Sequence, residues 1–287
     1  MRGIAWFLGL SFGLAWISWE IAIRSGVNVL SWQFQLYALP GAFAPAIAAI
    51  IVRKWITGEG FADAGLRLNR KAWRYYLLAW LLPLLVVGAI TLQAQVFGVA
   101  EPDFGLVRAT PLAQPGAAGS HPNAWLVVPQ LLATALLMTP VLWGEEFGWR
   151  GYLQQRISPN RPLRAALITG VIWAVWHFPL TIRGFNYPDH PVLGSLFLFI
   201  PFTILNSYIF GWLMRKTGSV WTPSLAHSAT NTIGALALLW LNGAAGPAII
   251  SYGGVFAVLP LLIVCVCLYR LDDRGSEALP RATLSKA

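Results

Sequence analysis

Gly144-Glu145-Glu146-Phe147-Gly148-Trp149-Arg150 sets two adjacent carboxylates and a guanidinium inside an apolar run that extends over roughly 125–149. A charged side chain at the centre of a membrane helix costs about 3 kcal/mol or more. A run that keeps three of them must satisfy them against other parts of the chain. The stretch therefore predicts a helix bundle with a polar interior, and it marks where that interior lies.

Composition agrees. Of 287 residues, 57% are hydrophobic and only 11% charged, against about 25% charged in an ordinary soluble domain. The mean hydropathy is +0.61. This balance belongs to a polytopic membrane protein. Fifteen tryptophans suit the two bilayer interfaces or helix packing. The net charge of +9 is assigned to basic cytoplasmic loops facing anionic membrane lipid. No basic stripe interleaved with aromatics lies outside the apolar runs, so nucleic acid is not an expected partner. Cys265 and Cys267, two apart in the last run, are read as packing residues with neither a disulfide nor a metal role.

A span needs about 20 mostly apolar residues. Eight runs qualify: roughly 4–23, 33–52, 75–98, 125–149, 163–182, 192–214, 220–241 and 247–269. The expectation is an all-α polytopic bundle of about eight transmembrane helices, one integral membrane domain over 1–287. Pro40, Pro83, Pro129, Pro140, Pro179, Pro201 and Pro260 predict kinks where neighbouring helices re-satisfy freed backbone groups. The first run carries Trp6, Trp16 and Trp19 and shows no cleavage motif, so it reads as a span and not a signal peptide. With the N-terminus inside, sixteen Lys and Arg fall on the cytoplasmic side. Only Arg24, Arg108 and Arg183 fall outside. Both termini are thus expected in the cytoplasm of a multi-pass protein of the cell membrane. The segment 65–74 alternates basic residues with Leu and Trp, which suits either a strip lying on the inner leaflet or a solvated basic loop. The Pro-, Gly- and Ala-rich stretch 98–123 is expected to be an external loop.

The acids can all be placed. Glu59, Asp63, Glu101, Asp103, Asp189, Asp272, Asp273 and Glu277 lie in loops or the tail, and Glu20 sits near the outer end of the first span, where it can snorkel or pair. Glu145 and Glu146 remain. His121 and His190 fall in external loops, whereas His177 and His227 lie inside the fifth and seventh runs. One intramembrane histidine is ordinarily a packed, hydrogen-bonded residue. Two, with two carboxylates and Arg150 from three separate runs, predict convergence in the interior, because an unpartnered polar group in lipid costs several kcal/mol. At a rise of about 1.5 Å per residue, Glu145 lies roughly 13 Å from the inner end of its helix, His227 and Asn231 about 10 and 16 Å in, and His177 about 22 Å in.

Local spacing adds roles. Glu146 and Arg150 are four apart and can pair on one face. Glu145 is turned about 100° from Glu146 and is left as a carboxylate unpaired by Arg150, which suits a general base. His227 and Asn231, also four apart, present an imidazole and an amide on one face. Gly144 and Gly148 leave room for another helix to approach closely.

Three patches together resemble the CPBP family of intramembrane proteases, which includes the type II CAAX prenyl endopeptidases and the Abi proteins linked to bacteriocin processing and self-immunity. The family pattern Glu-Glu-x-x-x-Arg stands as Glu145-Glu146-Phe147-Gly148-Trp149-Arg150. Phe-x-x-x-His stands as Trp173-Ala174-Val175-Trp176-His177, with Trp173 in place of the usual Phe. His-x-x-x-Asn stands as His227-Ser228-Ala229-Thr230-Asn231. The resemblance covers about 126–241, the expected catalytic core. It implies a conical polar intramembrane cavity and hydrolysis of a peptide bond in a membrane-associated or lipidated peptide or protein. Glu145 would activate water with help from His177, and His227 and Asn231 would stabilise the oxyanion. Glu146, Arg150 and Trp173 would support the geometry.

The cofactor stays open between none and one divalent metal. Catalytic zinc wants three protein ligands and an open position, and His177, His227 and Glu145 are the side chains available. The pattern His-Glu-x-x-His of ordinary zinc peptidases is absent, and a glutamate base with His and Asn donors also suffices without metal. The reading leans to the metal-free mechanism. Two non-catalytic alternatives compete: a membrane scaffold or bacteriocin self-immunity factor, and a transporter. The transporter is disfavoured by the absence of an evident inverted repeat.

Overall fold

The computed structural model describes residues 2–28, 31–105 and 124–277. Arg108, His121, Arg281 and Lys286 lie outside the described residues. The fold is all-α and follows the eight runs. The first is α1 (Arg2–Arg24). The second is broken at Phe43 into α2 (Trp32–Ala42) and α3 (Ala44–Ile51), and a wide π-type turn over Val52–Ile56 ends it. Pro40 inside α2 and Pro45 at the start of α3 account for the break. Then come α4 (Trp73–Val96) and α5 (Ala124–Gly148), which continues through a second π-type turn, Trp149–Leu153, into α6 (Gln154–Ile157). The fifth run is α7 (Pro162–Trp176) and α8 (Phe178–Thr181). The sixth is α9 (Pro191–Leu193), a π-type turn over Gly194–Phe199, and α10 (Ile200–Thr217). The last two are α11 (Trp221–Ile233) with α12 (Leu236–Trp240), and α13 (Pro247–Ile250) with α14 (Val255–Glu277).

Among the described residues, six helical segments are long and apolar enough to cross a membrane: Arg2–Arg24, Gln33–Ile56, Arg70–Val96, Leu126–Ile157, Pro191–Thr217 and Pro247–Asp272. The fifth and seventh runs fall short, with 15 residues in α7 and 13 in α11. Of the roughly eight runs expected, two are thus shorter as helices than the sequence suggested, and both departures have a local cause. Helix α7 stops at His177, and Pro179 two residues later cannot carry the backbone ladder onward. Helix α11 is built from small and polar residues, and every position from Thr222 to Thr230 is buried. Alanine, serine and threonine let neighbouring backbones come close. Here α4, α5 and α10 pack around α11, so it faces protein and not lipid.

The glycines flanking the acids do what their size allows. A methyl on Gly144 would stand 2.8 Å from the Phe43 ring, and one on Gly148 would stand 2.6 Å from the Pro45 carbonyl carbon. The broken second span thus presses its break against the acidic stretch of α5. At the next interface, a methyl on Gly170 of α7 would meet the Ile204 backbone of α10 at 2.5 Å. A single apolar cluster reaches from Phe7 to Leu268. Tryptophan N–H groups tie helices together inside it: Trp16 donates to the Trp176 carbonyl, Trp176 to the Ser11 carbonyl and Trp80 to the Leu132 carbonyl. The packing reading of these residues therefore holds for more than the interfaces.

Outside the helices, Ala100–Pro102 (β1) pairs antiparallel with Leu241–Gly243 (β2), a small sheet that the sequence pattern did not announce. Glu20 pairs with Arg183 at 2.6 Å. Arg53, expected in a basic loop, is fully buried instead. It donates to Asp63 at 2.7 and 3.2 Å, to the Gly60 carbonyl at 2.7 Å and to the Gly151 carbonyl in the turn after α5 at 3.1 Å. Trp55, Leu66, Leu68 and Trp73 are exposed around this loop. Cys265 is buried against the Leu205 carbonyl, Cys267 is exposed, and both are free thiols.

Candidate active site

Glu145, His177, His227 and Asn231 line one cavity of about 420 Å³. They reach it from three runs: the C-terminal part of α5, the junction between α7 and α8, and the middle of α11. The rest of the wall is mixed. Gln35, Asn186 and Tyr252 supply polar atoms, while Phe185, Phe199, Phe202 and Leu238 supply apolar surface. Such a cavity suits a ligand with an apolar body and one polar centre to be acted on.

Glu146 is the anchor. It is fully buried, and its Oε1 accepts Nη1–H of Arg150 at 3.0 Å and Nδ1–H of His227 at 2.9 Å. The pairing with Arg150 follows from their spacing of four. The bond to His227, from a helix 81 positions later, is new. Arg150, also fully buried, gives Nη2–H to Ser207 Oγ of α10 at 3.1 Å. Gln154 Nε2 adds a bond to the Ser207 carbonyl at 3.0 Å. Ser207 was missed in the sequence, although Asn206-Ser207 is a polar interruption of an otherwise apolar run.

Glu145 is unpaired by Arg150, as its angle to Glu146 led one to expect, but it does have a donor. Its Oε2 accepts the indole N–H of Trp173 at 2.9 Å. No donor among the described residues reaches Oε1, and the residue lines the cavity. Trp173 makes further contacts. Its ring lies under the Arg150 guanidinium at 4.6 Å from the centroid, and it meets His227 and His177 edge-on at 5.1 and 5.8 Å. His177 Nδ1 lies 3.0 Å from the Trp173 carbonyl oxygen.

These bonds fix the imidazole tautomers. A carbonyl and an ionised carboxylate only accept. Nδ1 therefore carries a proton in both histidines, and Nε2 is the ring nitrogen left to act on a ligand. Orientation of this kind is also how proteins prepare histidines for metal. However, among the described residues no three side chains of His, Cys, Asp or Glu are grouped to hold an ion. Glu145 already spends one oxygen on Trp173. No step below is routed through a metal.

Residues 122–233 match the family described as type II CAAX prenyl endopeptidase Rce1-like. That stretch holds every residue of the cluster from Glu145 to Asn231. The chain is also 39% identical over 44 residues to CAAX prenyl protease 2 of Methanococcus maripaludis, a stretch that spans 15% of this chain and 16% of that protein's length. In its helices and its three motif patches, the core of the chain over 122–233 is thus similar to the Rce1-like type II CAAX prenyl endopeptidases.

Proposed function

We propose that the protein is an intramembrane endopeptidase acting on a membrane-associated or lipidated peptide or protein, with its termini in the cytoplasm. The observation that carries this reading is the convergence of Glu145, His177, His227 and Asn231 on one cavity. Substrate would enter with its apolar portion against Phe185, Phe199, Phe202 and Leu238, bringing the scissile carbonyl to the polar end.

Water held between Glu145 and the Nε2 lone pair of His177 gives a proton to Glu145 as its oxygen adds to the carbonyl carbon. The resulting oxyanion takes hydrogen bonds from the Asn231 amide and from Nε2–H of His227 in its imidazolium form. Glu146 stabilises that imidazolium through Nδ1–H. The charges balance at both stages. Before addition, two carboxylates face Arg150 and the imidazolium. After it, the carboxylate charge lost at Glu145 is replaced by the oxyanion. A neutral cluster throughout is what a poorly solvated site requires. Glu145 then returns the proton to the leaving nitrogen, and the C–N bond breaks.

The test is cleavage of a peptide panel, with and without a C-terminal prenyl group, by purified wild type, Glu145→Gln and His227→Ala. Cleavage by wild type alone supports the proposal. Equal background cleavage by all three returns the protein to the scaffold or immunity reading, and Glu145-dependent proton-coupled uptake into proteoliposomes would make it a transporter.

A further inference from the structure

Trp173 touches Glu145, Arg150, His177 and His227. The N–H reaches Glu145, the ring face reaches Arg150, the ring edge reaches both histidines, and the backbone carbonyl holds Nδ1 of His177. Most of this a phenylalanine could also do. It would keep the face under Arg150, the edge contacts and the carbonyl. Only the indole N–H is particular to tryptophan, and that N–H is spent on Glu145. Trp173 is itself buried, at 2% exposure, between α5, α10 and α11, with Phe210 packed beside it. The N–H therefore has one fixed direction.

Glu145 needs such a holder. Arg150 is committed to Glu146 and Ser207, and no other donor among the described residues reaches the Glu145 carboxylate. A carboxylate on a three-torsion stem, facing a cavity, would otherwise sample several rotamers. A base works only within hydrogen-bond reach of its water, and an error of about 1 Å can cost about a hundredfold in rate.

We propose that Trp173 is a positioning residue. Its indole N–H pins Oε2 of Glu145 and so presents Oε1 to the water in the cavity. This rests on the reading of Glu145 as the base.

Two replacements isolate the N–H. Trp173→Phe keeps an aromatic ring, and benzothienylalanine at 173 keeps the full bicyclic shape with sulfur in place of the N–H. Two readouts separate the inference from the reading beneath it. The first is kinetics. Both variants are expected to lose about tenfold in kcat, the scale of one hydrogen bond to a charged group. KM should stay within about twofold, with an unchanged melting temperature for the benzothienyl form. The second needs no turnover. Carbodiimide modification of Glu145, followed by peptide mass spectrometry at one fixed pH, should run several-fold faster in both variants, because the carboxylate is released from its donor. If the benzothienyl protein keeps wild-type kcat and wild-type modification rate, the N–H does not hold Glu145 and the inference falls. If Glu145→Gln cleaves as well as wild type, the reading of Glu145 as the base falls, and the modification rate alone decides whether Trp173 holds the carboxylate.

Discussion

Nδ1 of His227 donates to Oε1 of Glu146 across 2.9 Å, joining α11 to α5 at the oxygen that also takes the Arg150 guanidinium. Two donors share one buried carboxylate oxygen. Removing that charge leaves the buried Arg150 guanidinium without its counter-ion in the protein interior. Glu146→Gln is expected to destabilise the protein by about 3–5 kcal/mol, the cost of breaking a buried pair from one side. The check is thermal or denaturant unfolding in detergent. A shift no larger than that of an exposed control such as Glu101→Gln would show that the triad is not a brace.

Glu145→Gln should behave in the opposite way. It keeps its shape and can still accept the Trp173 N–H, so unfolding should move by less than about 1 kcal/mol. Turnover should drop by about 10²–10⁴, the range expected for loss of a general base. Single-turnover cleavage of the best panel substrate measures it.

Activity should survive dialysis against a strong chelator. Purified protein should carry less than stoichiometric metal, and His227→Ala should leave that content unchanged. Elemental analysis beside a chelator titration decides the matter. One metal per chain that disappears in His227→Ala would replace the glutamate mechanism.

Asp63 links pH to the loop over 57–64. The hydrogen bond from Arg53 holds its carboxyl below the ordinary value of 3.8, outweighing partial burial, and Arg53 and Arg156 add their charge. The folded value is the lower one, so the stabilisation is complete above the unfolded value and is lost as pH falls through the folded value. The loop should stay attached at pH 5 and release only in stronger acid. Asp63→Asn should release it at neutral pH. Limited proteolysis within 57–64, followed against pH, reports the release, and identical cleavage of wild type and variant at pH 7 would contradict it.

Gly148→Ala places a methyl 2.6 Å from the Pro45 carbonyl carbon. Overpacking of this kind costs about 1–3 kcal/mol. Because the strain is relieved by moving α3 off α5, turnover should fall with stability. Unaltered unfolding would mean that the second span yields freely there.

The pairing of Glu146 with Arg150 was legible because both sit on one helix, where a spacing of four decides who meets whom. The membership of His177, His227 and Asn231 was legible because polar groups in apolar runs must find one another. The partners across helices were not. Nothing in a linear pattern says that Glu146 meets His227, that Trp173 aims its N–H at Glu145, or that Ser207 closes the shell around Arg150. Those contacts depend on helix rotation and crossing, which the packing of Gly144, Gly148 and Gly170 decides. The lengths of α7 and α11 misled for a related reason. Apolar content measures how well a run tolerates lipid, and α11 is buried in protein from Thr222 to Thr230.

The turn over Trp149–Leu153 fits one residue more than a regular α-helical turn. It therefore acts as a phase shifter between two halves of one rod. Upstream, the acids are indexed to the cavity. Downstream, Gln154 is indexed to Ser207, and Arg156 to Glu59 and Asp63. Deleting a single residue there would leave the helix continuous but swing everything after it by about 100°. The lower half would then unplug from its partners while Glu145 and Glu146 kept their bearings.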